Sequence, residues 1–131
     1  FGDRPILELQ SHVAADAQSF PLLQDFPALQ GVVRPYLTFP GQPITPNRRN
    51  GKSIFFVVSG QVELEAEDGN TRVAGPGQFF SHHKFMGLCA ANRSATSADY
   101  GNLLEVSFWR LRALIKSDPE MRKQLEYRKA A

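Results

Sequence analysis

A chain of 131 residues, 42% apolar and 21% charged, has the material for one globular domain with its own core. Its net charge of +2 is too small to argue for nucleic acid as a partner, and its longest unbroken apolar run, Ile54 to Val58, falls far short of a membrane span. Cys89 is the only cysteine, which excludes an internal disulfide and favours a reducing, cytosolic compartment. No secretory signal pattern opens the chain and position 1 is Phe rather than Met, so it reads as a piece of something longer.

The first predicted element is a helix: Asp3 caps it, Pro5 suits its first turn, and Ile6, Leu9, Val13 and Ala17 form one apolar stripe. Pro21 ends it. Asp25-Phe26-Pro27 starts a second, shorter helix to about Val33, weakened by Gly31 and ended by Pro35. From Tyr36 the period changes to short apolar runs punctuated by Pro and Gly turns, the spacing of an antiparallel sandwich or barrel. Ser53 to Ser59 reads as a buried strand, Gly60 as a turn, and Val62-Glu63-Leu64-Glu65-Ala66 as a strand with one face in and one out. Residues 67–70 turn the chain into Thr71-Arg72-Val73-Ala74, a hairpin, and Gly75-Pro76-Gly77 is a tight turn that delivers Phe79 and Phe80. Leu103-Leu104-Glu105-Val106 is the last strand. Ser107 then caps a helix with Phe108, Leu111, Leu114 and Ile115 on its buried side and Trp109 packing it onto the sheet. Ser117-Asp118-Pro119-Glu120 restarts a final helix that runs from Pro119 toward Arg128. The basic residues in these two helices read as solvated faces. The fold class is α+β: an antiparallel β-roll flanked by N-terminal helices and two C-terminal helices.

One stretch carries binding chemistry. Arg93-Ser94-Ala95-Thr96 sets a guanidinium, whose planar fork fits two oxygens at once, beside hydroxyls and a small residue, a combination suited to a phosphate. The same residues also fit a surface arginine on an ordinary strand. His82 and His83 are adjacent and point apart, and Cys89 with His12 makes no metal set of regular spacing, so no metal is expected. Paired carboxylates, a phosphate loop and a catalytic triad are all absent from the pattern, and the chain is not expected to be an enzyme.

The order and spacing of these stretches resemble the cyclic-nucleotide-binding domain, with its β-roll and phosphate-binding cassette, over about Phe20 to Leu125. In that family a Phe-Gly-Glu step opens the cassette, matched here by Phe80, and a Pro-Arg-x-Ala-Thr or Arg-Arg-Thr-Ala step closes it, matched by Arg93-Ser94-Ala95-Thr96. Two departures stand out. Ser81-His82 replaces the family's Gly-Glu, which contacts the ribose, and the segment from Phe80 to Arg93 is about two residues longer than the common form. The resemblance implies that Arg93 and Ser94 hold the cyclic phosphate of cAMP or cGMP, with backbone amides of Ser81, His82 and Ala95 as added donors. Leu64 and Ala74 would face the base, and the last helix would close over the site through Arg122 or Leu125. Ser94 could also reach the 2-amino group of a syn guanine, which implies a mild preference for cGMP.

The flanks are similar to one branch of that family. Leu7 to Ala14 with Phe20-Pro21-Leu22-Leu23, then Ala98 to Leu104 and Asp118 to Lys123, resemble cyclic-nucleotide-gated and hyperpolarisation-activated channels and channel-like sodium/proton exchangers. This implies that residues 1–24 end a helical linker and 25–131 form a regulatory domain on the cytoplasmic face of a membrane. Its partners would be the rest of a channel or exchanger and further copies of itself in the full-length protein. The alternative is a ligand-free module of the same fold that serves as an assembly or coupling interface.

Overall fold

The computed structural model describes residues 33–46 and 52–128. The helix expected over residues 3–17, and the linker expected over 1–24, lie outside them. The second expected helix reaches the described residues only at its end, and there the expectation is corrected: Val33 and Pro35 belong to strand β1 (Val33–Thr38). A proline is tolerated because β1 is an edge strand, where a missing N–H breaks no ladder on its free side.

Six further strands follow: β2 (Ser53–Ser59), β3 (Val62–Ala66), β4 (Thr71–Ala74), β5 (Phe79–Ser81), β6 (Asn92–Ser97) and β7 (Gly101–Ser107). They pair antiparallel into a four-stranded sheet of order β1-β7-β2-β5 and a three-stranded sheet of order β4-β3-β6. Two helices close the described chain, α1 (Phe108–Ser117) and α2 (Pro119–Glu126).

Strand parity distributes the core into two clusters. Phe55, Val57, Phe80 and Leu103 point from the larger sheet into the roll, where they meet Val62, Leu64, Ala74 and Ala95 of the smaller one. Their neighbours Ile54, Phe56, Phe79 and Leu104 point the other way, against Phe108, Leu111, Ile115, Met121 and Leu125 of the helices. A strand buried on both faces must be apolar at every position, and this explains the unbroken run in β2. Chain direction at the sheet end is set by two glycines. A methyl at Gly60, whose φ is +84°, would lie 2.9 Å from the Tyr100 carbonyl, and one at Gly101 would overlap the Ser59 carbonyl.

Both helix starts follow from their caps: Ser107 Oγ accepts from the Arg110 amide at 3.5 Å and Asp118 Oδ1 from the Glu120 amide at 3.1 Å. The last helix ends at Glu126, two residues before Arg128. The Arg128 carbonyl accepts from the Phe79 amide at 3.0 Å, which ties the end of α2 to β5. Trp109 departs from its expected role. It is 55% exposed, edge-on to Phe108, with Lys52 and Arg112 each over its ring, so cation–π contacts favour its place on the solvent side of α1.

Candidate functional site

β5 and β6 are joined by residues 82–91, the stretch expected to form the cassette. Phe85 and Leu88 bury their side chains in the helix-side core, and the Leu88 amide donates to the Phe85 carbonyl at 2.7 Å, so the middle of the loop is anchored. Met86 between them sits at φ +49°, a left-handed conformation that costs a non-glycine residue about 1 kcal/mol. Its carbonyl accepts from Arg122 Nη2 at 2.7 Å. Arg122, expected to close over a ligand, thus joins α2 to the loop backbone.

The loop enters β6 through a bulge. Glu65 pairs with Ser94 and Ala66 with Asn92, which leaves Arg93 as the extra residue on β6. A bulge resets the alternation, so Asn92 and Ala95 both point inward while Arg93 and Ser94 both lie outside. Arg93 forms an ion pair with Glu65 and its side chain is 59% exposed. The two residues expected to hold a phosphate therefore stand together, on the outer face of the smaller sheet.

The other expected residues face inward. Phe80 stacks on Phe55 at 5.3 Å between ring centres. Ala74 and Ala95 are buried in the roll core, and so is Leu64, which also reaches a cleft. Ser81 is buried, its hydroxyl donating to the Ser53 carbonyl and accepting from the His83 amide, each at 3.1 Å. His82 is half-buried, edge-on to Phe55. Its Nδ1 is shielded and makes no hydrogen bond of sound geometry, although the Ile44 backbone is close enough to favour the charged ring. Burial, and then the neighbouring His83 charge, outweigh that and lower its pKa below 6.5.

A small cleft, open to solvent and with room for about 10 Å³, lies between β3, β4 and the loop, lined by Leu64, Arg72, Phe79, Phe80, Cys89, Ala90 and Asn92. Only Leu64 and Phe80 of these were expected from the sequence. Arg72 is paired with Leu64 across β3 and β4, so the two share the inner face. Arg72 Nη2 donates to Asn92 Oδ1 at 3.1 Å, and Asn92 Nδ2 donates to the Ser81 and Ala90 carbonyls at 2.9 and 3.4 Å. Hairpin alternation was the signal available for Arg72, once residues 67–70 fix the register. Cys89 is pushed up to about 11 by burial, against the opposing charge of Arg72, and stays a protonated thiol at neutral pH. Among the described residues no group of three His, Cys, Asp or Glu side chains could hold a metal ion. No helix among them is long and apolar enough to cross a membrane.

No protein-family model matches the chain, and no curated protein matches it. Solved structures do. The catabolite activator protein of Thermus thermophilus is 24% identical with a TM-score of 0.56, covering 80% of this chain and 54% of its own. A CooA mutant from Carboxydothermus hydrogenoformans is 12% identical with a TM-score of 0.61, over 80% and 69%. A candidate cyclic-nucleotide-binding protein of Geobacter metallireducens GS-15 is 13% identical with a TM-score of 0.55, over 80% and 79%. The fold is that of the cyclic-nucleotide-binding domain. The β-roll and two C-terminal helices expected from the sequence match this domain. The chain spans about half the length of the Thermus thermophilus protein, and at these identities the likeness is one of fold.

Proposed function

We propose that this chain is a cyclic-nucleotide sensor, the regulatory part of a larger protein, which passes ligand binding to its C-terminal helix. The observation that carries the reading is the 2.7 Å bond from Arg122 on α2 to the Met86 carbonyl of the loop. The cleft has room for only about 10 Å³, so a ligand entering it must displace Cys89 and Ala90 of that loop, and a shift of the loop backbone is felt at Arg122. Binding that favours one position of the loop then favours one position of α2, a population shift rather than a new interaction. A phosphate held by Arg93 and Ser94 requires the start of β6 to turn both side chains in from the outer face, besides Arg93 leaving Glu65, a surface ion pair worth little.

The matches of residues 7–14, 20–23, 98–104 and 118–123 to the channel and exchanger pattern support a place on the cytoplasmic face of a membrane transport protein. A second reading, a ligand-free coupling module, is favoured by one observation: Phe55, Phe80 and Leu64 fill the interior of the roll. Calorimetric titration of the domain with cAMP and cGMP separates the two. The sensor gives saturable heat and a ligand-dependent rise in melting temperature. Neither effect with either nucleotide would leave the coupling module.

A further inference from the structure

The two closing helices carry their basic residues differently. On α2 the cations have acidic neighbours: Lys123 lies 3.4 Å from Glu120 and Arg122 3.9 Å from Glu126. α1 contains no acidic residue. Its buried side is Phe108, Leu111 and Ile115, and at about 3.6 residues per turn the opposite arc holds Trp109, Arg110, Arg112, Ala113 and Lys116. Lys52 joins this face: its carbonyl accepts from the Phe108 amide at 3.0 Å, and its Nζ lies 5.5 Å from the Trp109 ring centre. Among the described residues no carboxylate forms an ion pair with Lys52, Arg110, Arg112 or Lys116. The nearest acids along the chain, Asp118 and Glu120, lie past the end of α1, where Asp118 caps α2 and Glu120 faces Lys123. Four cations therefore share one face with an exposed indole.

A merely solvated face needs no large aromatic among its charges. An indole 55% in water, with lysine and arginine around it, matches the border of a bilayer. There the amphipathic ring sits at headgroup level and basic side chains meet anionic headgroups. A single-stranded nucleic acid would instead stack its bases on the ring, over which two cations already lie. We propose that the outer face of α1 docks on an anionic membrane surface, the helix lying flat with Trp109 at headgroup level and Lys52, Arg110, Arg112 and Lys116 against acidic lipid. The proposal is independent of nucleotide binding. One tryptophan and one alanine are too little apolar surface for deep insertion, so charge supplies most of the attraction and the contact is reversible.

Trp109 is the only tryptophan of the chain, so its fluorescence reports on this face directly. The test titrates the full chain with vesicles of phosphatidylcholine alone and of phosphatidylcholine mixed with phosphatidylserine. The mixed vesicles are expected to shift the emission to the blue and, with brominated acyl chains, to quench it; the neutral vesicles do neither. Binding should weaken as salt rises from about 0.1 to 1 M, where the Debye length falls from about 10 to about 3 Å. Arg110→Gln and Lys116→Gln should each weaken it about fivefold, the factor for one basic side chain near an anionic surface. Thr71→Glu makes an equal change of net charge on an exposed position of β4, in the smaller sheet, which does not carry the helices. It should alter binding by no more than about twofold. Equal shifts with neutral vesicles, or no shift with either kind, overturn the proposal. So does an equal weakening by Thr71→Glu, which makes net charge rather than this face the cause. A shift given by an oligonucleotide or by polyglutamate but not by the mixed vesicles also overturns it, in favour of another polyanion. In each case the sensor reading stands. The comparison of the two vesicle types on the unaltered chain decides the matter even where a variant fails to fold.

Discussion

Arg93 stands beside Glu65 because β6 carries one residue more than the strand opposite it. The pair is exposed, so Arg93→Ala is expected to lower the stability of the free domain by no more than about 1 kcal/mol, measured by urea denaturation. A phosphate-holding role for Arg93 makes a separate demand: the variant must lose the nucleotide-induced rise in melting temperature that the unaltered domain shows. Unchanged nucleotide shifts in the variant leave Arg93 with the ion pair alone. His82 makes a second prediction. Its folded pKa lies below the unfolded value of 6.5, so between the two the unfolded chain binds more protons. Its contribution to stability is fully present above about pH 6.5 and is lost as pH falls through the folded pKa. The melting temperature should drop as pH falls below about 6.5; His82→Gln should flatten that part of the profile, and an unchanged profile would count against it. At this scale the sequence was legible for residue type and not for direction. The arginine-hydroxyl pair at 93 and 94 could be read, but the bulge that turns both outward depends on pairing with β3, nearly thirty positions earlier.

At the scale of elements, the features set by local chemistry were legible. Ser107 and Asp118 start their helices, the turn at residues 67–70 makes the β3–β4 hairpin, and Gly75-Pro76-Gly77 delivers Phe79 to one core and Phe80 to the other. The start of β1 was not legible, because Pro35 is a helix breaker by propensity and an edge-strand residue only once the sheet order is known. Trp109 was misplaced for a similar reason: its solvent-side cation–π contact with Lys52 joins residues remote in sequence. Gly101 gives a sharp test of the sheet end. Its neighbour across the strand pair is backbone rather than a flexible side chain, so the clash cannot be relieved by a rotamer change. Gly101→Ala should destabilise the domain by at least about 2 kcal/mol, in the range of strained backbone and overpacked sites. Val73→Ala, on an exposed β4 position, should stay within about 0.5–1 kcal/mol. Equal midpoints for the two variants in urea would mean that β2 and β7 separate at that end without cost.

For the molecule as a whole, the helix-side core holds the two C-terminal helices against the larger sheet. α2 has only eight residues, too few to be stable alone, so it exists because Met121 and Leu125 are buried against the sheet and Arg128, just beyond it, is tied to β5. Removing Leu125 to Ala should cost about 2–5 kcal/mol and loosen α2 whatever the ligand does. Arg122 is different, because its side chain is mostly outside the core. It reaches the Met86 carbonyl and lies 3.9 Å from Glu126 on its own helix. On the proposed sensor reading, ligand in the cleft acts on residues 89 and 90, the loop passes the shift to Met86, and Arg122 carries it to α2. Amide hydrogen exchange across α2 should therefore slow when a cyclic nucleotide binds. In Arg122→Ala most of that slowing should disappear. The free-state exchange of α2 should change little, since Met121 and Leu125 still hold it. Affinity should fall by no more than roughly tenfold, the share of binding energy carried by one charge-assisted bond that the ligand does not itself touch. Full ligand-induced protection of α2 in the variant would show that the signal travels through Phe85 and Leu88 in the core, and that the Arg122 bond only accompanies it.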